Sequence, residues 1–178
     1  MSASEMETEA GTGAETETLS APGGPGAPGS APAGPAQIVG GATKVVVATL
    51  LAWSGYIHYD LYANHGYRHI HTIGPAFLVQ AGGSFAVAFL LVVSVALPGS
   101  VLLSVLAAGL SGGALVGFVL SRTTGVAGFE EHGFTPSPDA AISVAVEIGV
   151  LVVLAAVAVV AAVSRPSGPA RTDRLTGH

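Results

Sequence analysis

The sequence predicts an all-α integral membrane protein, a four-helix bundle preceded by a disordered N-terminal tail. Three observations lead there. Half of the 178 residues are hydrophobic and only 10% are charged, whereas soluble domains charge about a quarter of theirs. Five of the seventeen charges, Glu5, Glu7, Glu9, Glu15 and Glu17, crowd into the first seventeen residues. The remainder of the chain contains apolar runs of about eighteen residues or more, the length of a bilayer crossing.

Composition also excludes several classes. The net charge of −5 resides mainly in the tail glutamates, which argues against a nucleic-acid partner. No cysteine is present, so disulfides, thiolate metal sites and thiol catalysis are ruled out. The acidic, Pro-rich start is the opposite of a cleavable signal peptide. Residues 1–36 are Glu, Thr, Gly, Ala and Pro in low-complexity order, too poor in apolar surface to offset ordering entropy. A membrane domain is expected over residues 37–164 and a short basic polar tail over 165–178.

The first span is placed at about 42–62. Trp53, Tyr56, Tyr59 and Tyr62 crowd its second half, as an interfacial belt would. The connection Ala63–Thr72 holds His65, Arg68, His69 and His71. Span two covers about 73–97, with Pro75 in its first turn, where an N–H has no helical partner to lose. The tripeptide Pro98–Gly99–Ser100 then forces an antiparallel hairpin. Span three, about 101–120, repeats Gly109, Gly113 and Gly117, a small-residue ridge that lets backbones approach in lipid. Gly82 and Ala86 of span two share that spacing and are the expected partner, with a homo-oligomeric contact as the alternative. In the longest connection, Ser121–Asp139, the pair Glu130–Glu131 reads as solvated, and Ser137–Pro138 reads as an N-cap and first-turn proline. Span four covers about 140–163.

Four spans put both termini on one side. That side holds Lys44, Arg165, Arg171 and Arg174 against Arg68 and Arg122 opposite, so the positive-inside rule makes both termini cytoplasmic in the cell (inner) membrane.

The intramembrane polar residues share a depth. Counted along the helices, His58 lies about 6 Å, and Gln80 and Glu147 about 10 Å, below the same end of the bundle. Spacing of four aligns Ser54, His58 and Tyr62 on one face of span one. It aligns Gln80 with Ser84 on span two, and Asp139, Ser143 and Glu147 on span four. Arg122 sits at the rim. A buried carboxylate costs roughly 2.5–3.5 kcal/mol at mid-bilayer, so Glu147 should face inward, protonated or paired with Arg122 or His58. A polar pocket of His58, Gln80, Arg122 and Glu147, opening outward, is one reading; a purely structural clasp is the other. His65, His69, His71 and His132 are the weak candidates for a metal site, with no fixed ligand spacing. A haem between His58 and His71 is geometrically conceivable, although bundle haems need deep histidines on facing helices. No phosphate loop, Ser/His/Asp arrangement or paired catalytic carboxylates occur in their usual context, so no catalytic residue is assigned.

The stretches GYRHIHTIGPAFLVQA (Gly66–Ala81) and GFVLSRTTGVAGFEEHGFTP (Gly117–Pro136) resemble an uncharacterised family of small four-span proteins from high-GC actinobacteria. Those carry a GYR…IGxLF element before the second span and a GFxLS…GxxGFxE element after the third. The resemblance covers the membrane part and implies architecture, not activity. The functional expectation is a non-enzymatic subunit, accessory or binding protein in contact with membrane lipids, with no cofactor assigned. A haem- or quinone-binding redox protein and an oligomeric ion or small-solute transporter are the alternatives.

Overall fold

The computed structural model describes residues 34–97 and 101–164. Four helices form a closed ring: α1 (Pro35–Asn64), α2 (Ile73–Val93), α3 (Val101–Thr123) and α4 (Asp139–Val163). Each is long and apolar enough to cross a membrane. Helix α1 packs on α2 and α4, and α3 packs on the same two from the opposite corner. The expected disordered tail, the basic tail and the Pro98–Gly99–Ser100 turn lie outside the described residues.

The outer surface is what requires lipid. Val79, Phe89, Leu102, Val152 and Val160 are each at least 60% exposed, part of a nearly continuous apolar coat. Soluble monomers do not present such a coat to water. Trp53, Tyr56 and Tyr59 are also turned outward at the α1 end nearest the connections, consistent with rings at a water–lipid boundary.

Helix α1 begins earlier than expected. Pro35 occupies its first turn, and Gln37 Oε1 accepts a hydrogen bond from the Gly34 N–H at 3.1 Å. Its 30 residues extend about 45 Å, more than the hydrocarbon thickness, so its ends project. Gly66, at φ 83°, adopts the left-handed conformation that ends this helix. Helix α2 stops at Val93 rather than Leu97, because Ser94 turns the chain. Lys44 Nζ then donates to the freed carbonyls of Ser94 at 2.6 Å and Leu97 at 2.7 Å. Lys44 is therefore a C-terminal cap for α2 as well as a charge near one end. Helix α4 starts at Asp139 with Pro138 in the capping position and no side-chain cap, so Ser137 is not the N-cap.

The glycine ridge does not pack on α2. A Cβ added at Gly82, Gly109, Gly113 or Gly117 would meet nothing within 4 Å. The buried small residues of α3 are Ala107, Ser111 and Ser121, none of them in the ridge. Close approach occurs instead between α1 and α2, where a Cβ on Gly55 would lie 3.2 Å from the Ala81 carbonyl oxygen. Two apolar clusters result. One, around Val47, Leu51, Val87, Leu91, Ala107 and Val150, fills one half of the bundle. The other, around Ile57, Leu61, Tyr67 and Ile73, closes the opposite end.

Candidate functional site

Between those clusters lies the polar layer, and its residues surround one cavity of about 250 Å³. His58, Gln80, Arg122 and Glu147 all line it, so the four residues grouped by depth and helical face converge in space. They do so at two levels.

The floor is built by α1 and α4. Ser54 and His58, one turn apart, are 0% and 7% exposed, and Glu147 is 1% exposed on the inward face shared with Ala140 and Val150. The Ser54 hydroxyl donates to Glu147 Oε1. His58 donates from Nδ1 to the Ser54 carbonyl at 2.9 Å, which leaves its Nε2 as the uncommitted ring nitrogen. Glu147 Oε2 has no hydrogen-bond partner. Gln80 Nε2 donates across the α2–α3 seam to the Leu110 carbonyl at 3.3 Å. Ser84 and Ser111, both fully buried, also carry unpartnered hydroxyls.

The rim is built by the connections, and here the expectations for Arg122 and Glu131 are corrected. Arg122 does not reach Glu147. Its Nη2 pairs with Glu131 Oε2 at 2.9 Å, with both side chains 15% exposed or less. The same guanidinium donates to the carbonyls of Gly133 at 2.9 Å and Thr135 at 2.8 Å. It also donates to Ser121 Oγ at 2.6 Å and lies 3.8 Å above the Phe118 ring centre. Glu131 is thus a clasp rather than a solvated loop residue, and Tyr67 donates its hydroxyl to the other carboxylate oxygen. Burial, the hydrogen bond to Glu131 and the negative charge beside it push the Tyr67 phenol well above its ordinary range, with Arg122 opposing.

A local turn places Glu131. Val126 and Phe129 exchange backbone hydrogen bonds of 2.8 and 2.9 Å. Ala127 and Gly128 between them both take positive φ, as a two-residue I′ hairpin turn requires. The chain folds back, and the Glu131 N–H reaches the Ser121 carbonyl at 2.9 Å. Phe129 packs into the end cluster with its ring centre 5.9 Å from that of Tyr67, while Phe134 remains 53% exposed. Phe77 completes the aromatic wall, 4.8 Å from Tyr67 and edge-on to His58 at 5.4 Å.

The remaining histidines are not gathered. His69 accepts from Arg68, while His71 and His132 are exposed and do not line the cavity. His65 lies between two carboxylates instead, Nδ1 at 3.3 Å from Asp60 and Nε2 at 3.8 Å from Asp139. Asp60, His65 and Asp139 are the one trio of metal-capable side chains within 4.8 Å of one another among the described residues. The trio is partly exposed and ties the end of α1 to the start of α4. Surface pairs of that kind contribute only about 0–1 kcal/mol.

Sequence reasoning missed Tyr67, Glu131 and the aromatic wall. The signal available was that both connections carry bulky apolar residues, Ile70 in one and Val126 and Phe129 in the other, which solvated loops lack. Compared with known protein families, curated proteins and solved structures, the chain matches none.

Proposed function

We propose that this chain is a non-enzymatic, multi-pass binding or accessory protein of the cytoplasmic membrane that holds a small ligand in the cavity between its helices. One observation carries the reading: Glu147 is buried in the cavity wall with one oxygen satisfied by Ser54 and the other without a partner. Intramembrane ionisable groups are expensive and usually mark a ligand or ion path. A clasp alone would leave no such oxygen spare, and the rim already has its own clasp in Arg122 and Glu131.

The cavity is placed toward the external face, with both termini cytoplasmic, on the Lys and Arg distribution alone. In the Gly109–Gly113–Gly117 ridge, Gly113 and Gly117 border the cavity, while the Gly109 end lies outside its lining and suits a second copy or a membrane-protein partner. A quinone remains the runner-up ligand, because His58 Nε2 and Glu147 offer it two polar groups across one cavity. A haem bridging His58 and His71 is disfavoured by the exposed position of His71.

Native mass spectrometry of the membrane-extracted protein tests both statements. Wild type should retain a small-molecule adduct that Gly117→Leu, whose side chain would enter open cavity space, loses. Gly109→Leu, outside the cavity lining, should reduce any dimer. An adduct unchanged by Gly117→Leu, or none under any gentle condition, would refute the binding role; an unchanged dimer would remove the ridge from the contact.

A further inference from the structure

We propose that the cavity accepts a lipophilic cation, a quaternary or protonated amine on an apolar or aromatic body, with Glu147 as its counter-ion. The assignment rests on the cavity being a binding site and adds the charge and shape of its occupant.

Charge decides first. At the rim Arg122 and Glu131 neutralise one another at 2.9 Å. On the floor the Ser54 hydroxyl takes one oxygen of Glu147 and nothing takes the other. Among the described residues no Lys, Arg or His nitrogen comes within 4.0 Å of that carboxylate. His58, the ionisable neighbour on α1, turns its Nδ1–H to the Ser54 carbonyl. Glu147 is therefore an acid of the cavity with no cation at ion-pair distance, and His58 beside it leaves its Nε2 facing no partner. A cation entering the cavity supplies the partner that lets Glu147 ionise there, whereas an anion, lipid phosphates included, gains no partner and opposes that ionisation.

The walls favour the same occupant. Phe77, Tyr67 and Phe129 form a connected aromatic surface above the floor. Ring faces carry negative quadrupole density and attract ammonium groups, most strongly where water is excluded. The cavity already contains one such pairing, Arg122 over Phe118. A neutral quinol would hydrogen-bond to Glu147 and His58 and stack on the rings, but it brings no charge to pair with Glu147. On α3, Gly113 and Gly117 border open space and leave room for the apolar body of the ligand.

The test titrates the full chain, in nanodiscs of zwitterionic lipid, with three probes. These are benzyltrimethylammonium, its uncharged carbon isostere neopentylbenzene, and benzenesulfonate. Wild type should bind the cation saturably and about tenfold or more tighter than the isostere, with no binding of the anion. Glu147→Gln, with its helix content and melting unchanged, should lower the cation affinity about tenfold and leave the isostere unaffected. Should Glu147→Gln fold poorly, Phe77→Leu replaces it and should weaken the cation severalfold without weakening the isostere. Gly117→Leu should abolish both. Equal affinity for cation and isostere, or a cation preference that survives in Glu147→Gln, would overturn the cation while leaving the cavity a binding site. Failure of all three probes to bind wild type better than Gly117→Leu would overturn the cavity reading itself, and the cation with it.

Discussion

Arg122→Ala should destabilise the detergent-extracted protein by about 3–5 kcal/mol, the range for removing one partner of a largely buried ion pair. The side chain does more than meet Glu131. It ties down the carbonyls of Gly133 and Thr135 and the hydroxyl of Ser121, and its plane covers Phe118. Without it, Glu131 is left as a poorly solvated carboxylate held only by the Tyr67 hydroxyl. Arg122→Lys should recover only about 1 kcal/mol, because one compact ammonium cannot reproduce a planar fork with four acceptors and a ring beneath it. Glu131→Gln should be milder than either, since the amide oxygen still accepts from Tyr67 or Arg122. Thermal unfolding followed by circular dichroism gives the ordering. If Arg122→Ala melted with wild type, the rim would not be a clasp.

Two glycines in one helix should respond with opposite signs. A Cβ on Gly74 would stand 2.9 Å from the Tyr67 carbonyl oxygen and 3.2 Å from the Arg68 Cα, both backbone atoms of the 3-10 turn Tyr67–His69. Backbone cannot swing aside as a side-chain tip does, so Gly74→Ala should displace that turn and cost about 1–3 kcal/mol. Because Tyr67 sits in the turn, its hydrogen bond to Glu131 should be lost with it. Gly82→Ala, eight residues on, meets nothing within 4 Å and should stabilise by about 0.5–1 kcal/mol through helix propensity. Melting curves of the two variants decide it. Equal shifts in the same direction would mean that the turn does not rest on Gly74.

The spans and the convergence of polar residues were legible for simple reasons. An apolar run of bilayer length admits few other structures. Spacing of four puts Ser54 with His58, and Ser143 with Glu147, on one helical face whatever the neighbours do. Partner choice was not legible in that way. Arg122 had Glu130, Glu131, Asp139 and Glu147 within plausible reach, and the selection of Glu131 depends on the reversal at Ala127–Gly128. Ala-Gly is a weak hairpin signal beside Asn-Gly or Asp-Gly, so the reversal was hidden. The ridge Gly109–Gly113–Gly117 shows the converse limit. Periodicity says which residues share a face but not what that face meets: Ala107 and Ser111 pack into the bundle, while Gly113 and Gly117 border the cavity rather than α2. The end of α2 was misplaced because apolarity continues to Leu97, while the helix ends where Lys44 can cap it.

The central claim is that lipid coats these four helices while their ionisable groups gather around a cavity reached from the external side. Since the chain has no cysteine, single cysteines can report it directly with a membrane-impermeant maleimide on intact cells. His71→Cys in the connection and Ser143→Cys in the cavity wall should label from outside. Val152→Cys, on the apolar coat, should stay unlabelled even after lysis, and Ser167→Cys should label only after lysis. Val152→Cys reacting as fast as Ser143→Cys would mean that water surrounds the bundle, and Ser167→Cys labelling on intact cells would reverse its orientation.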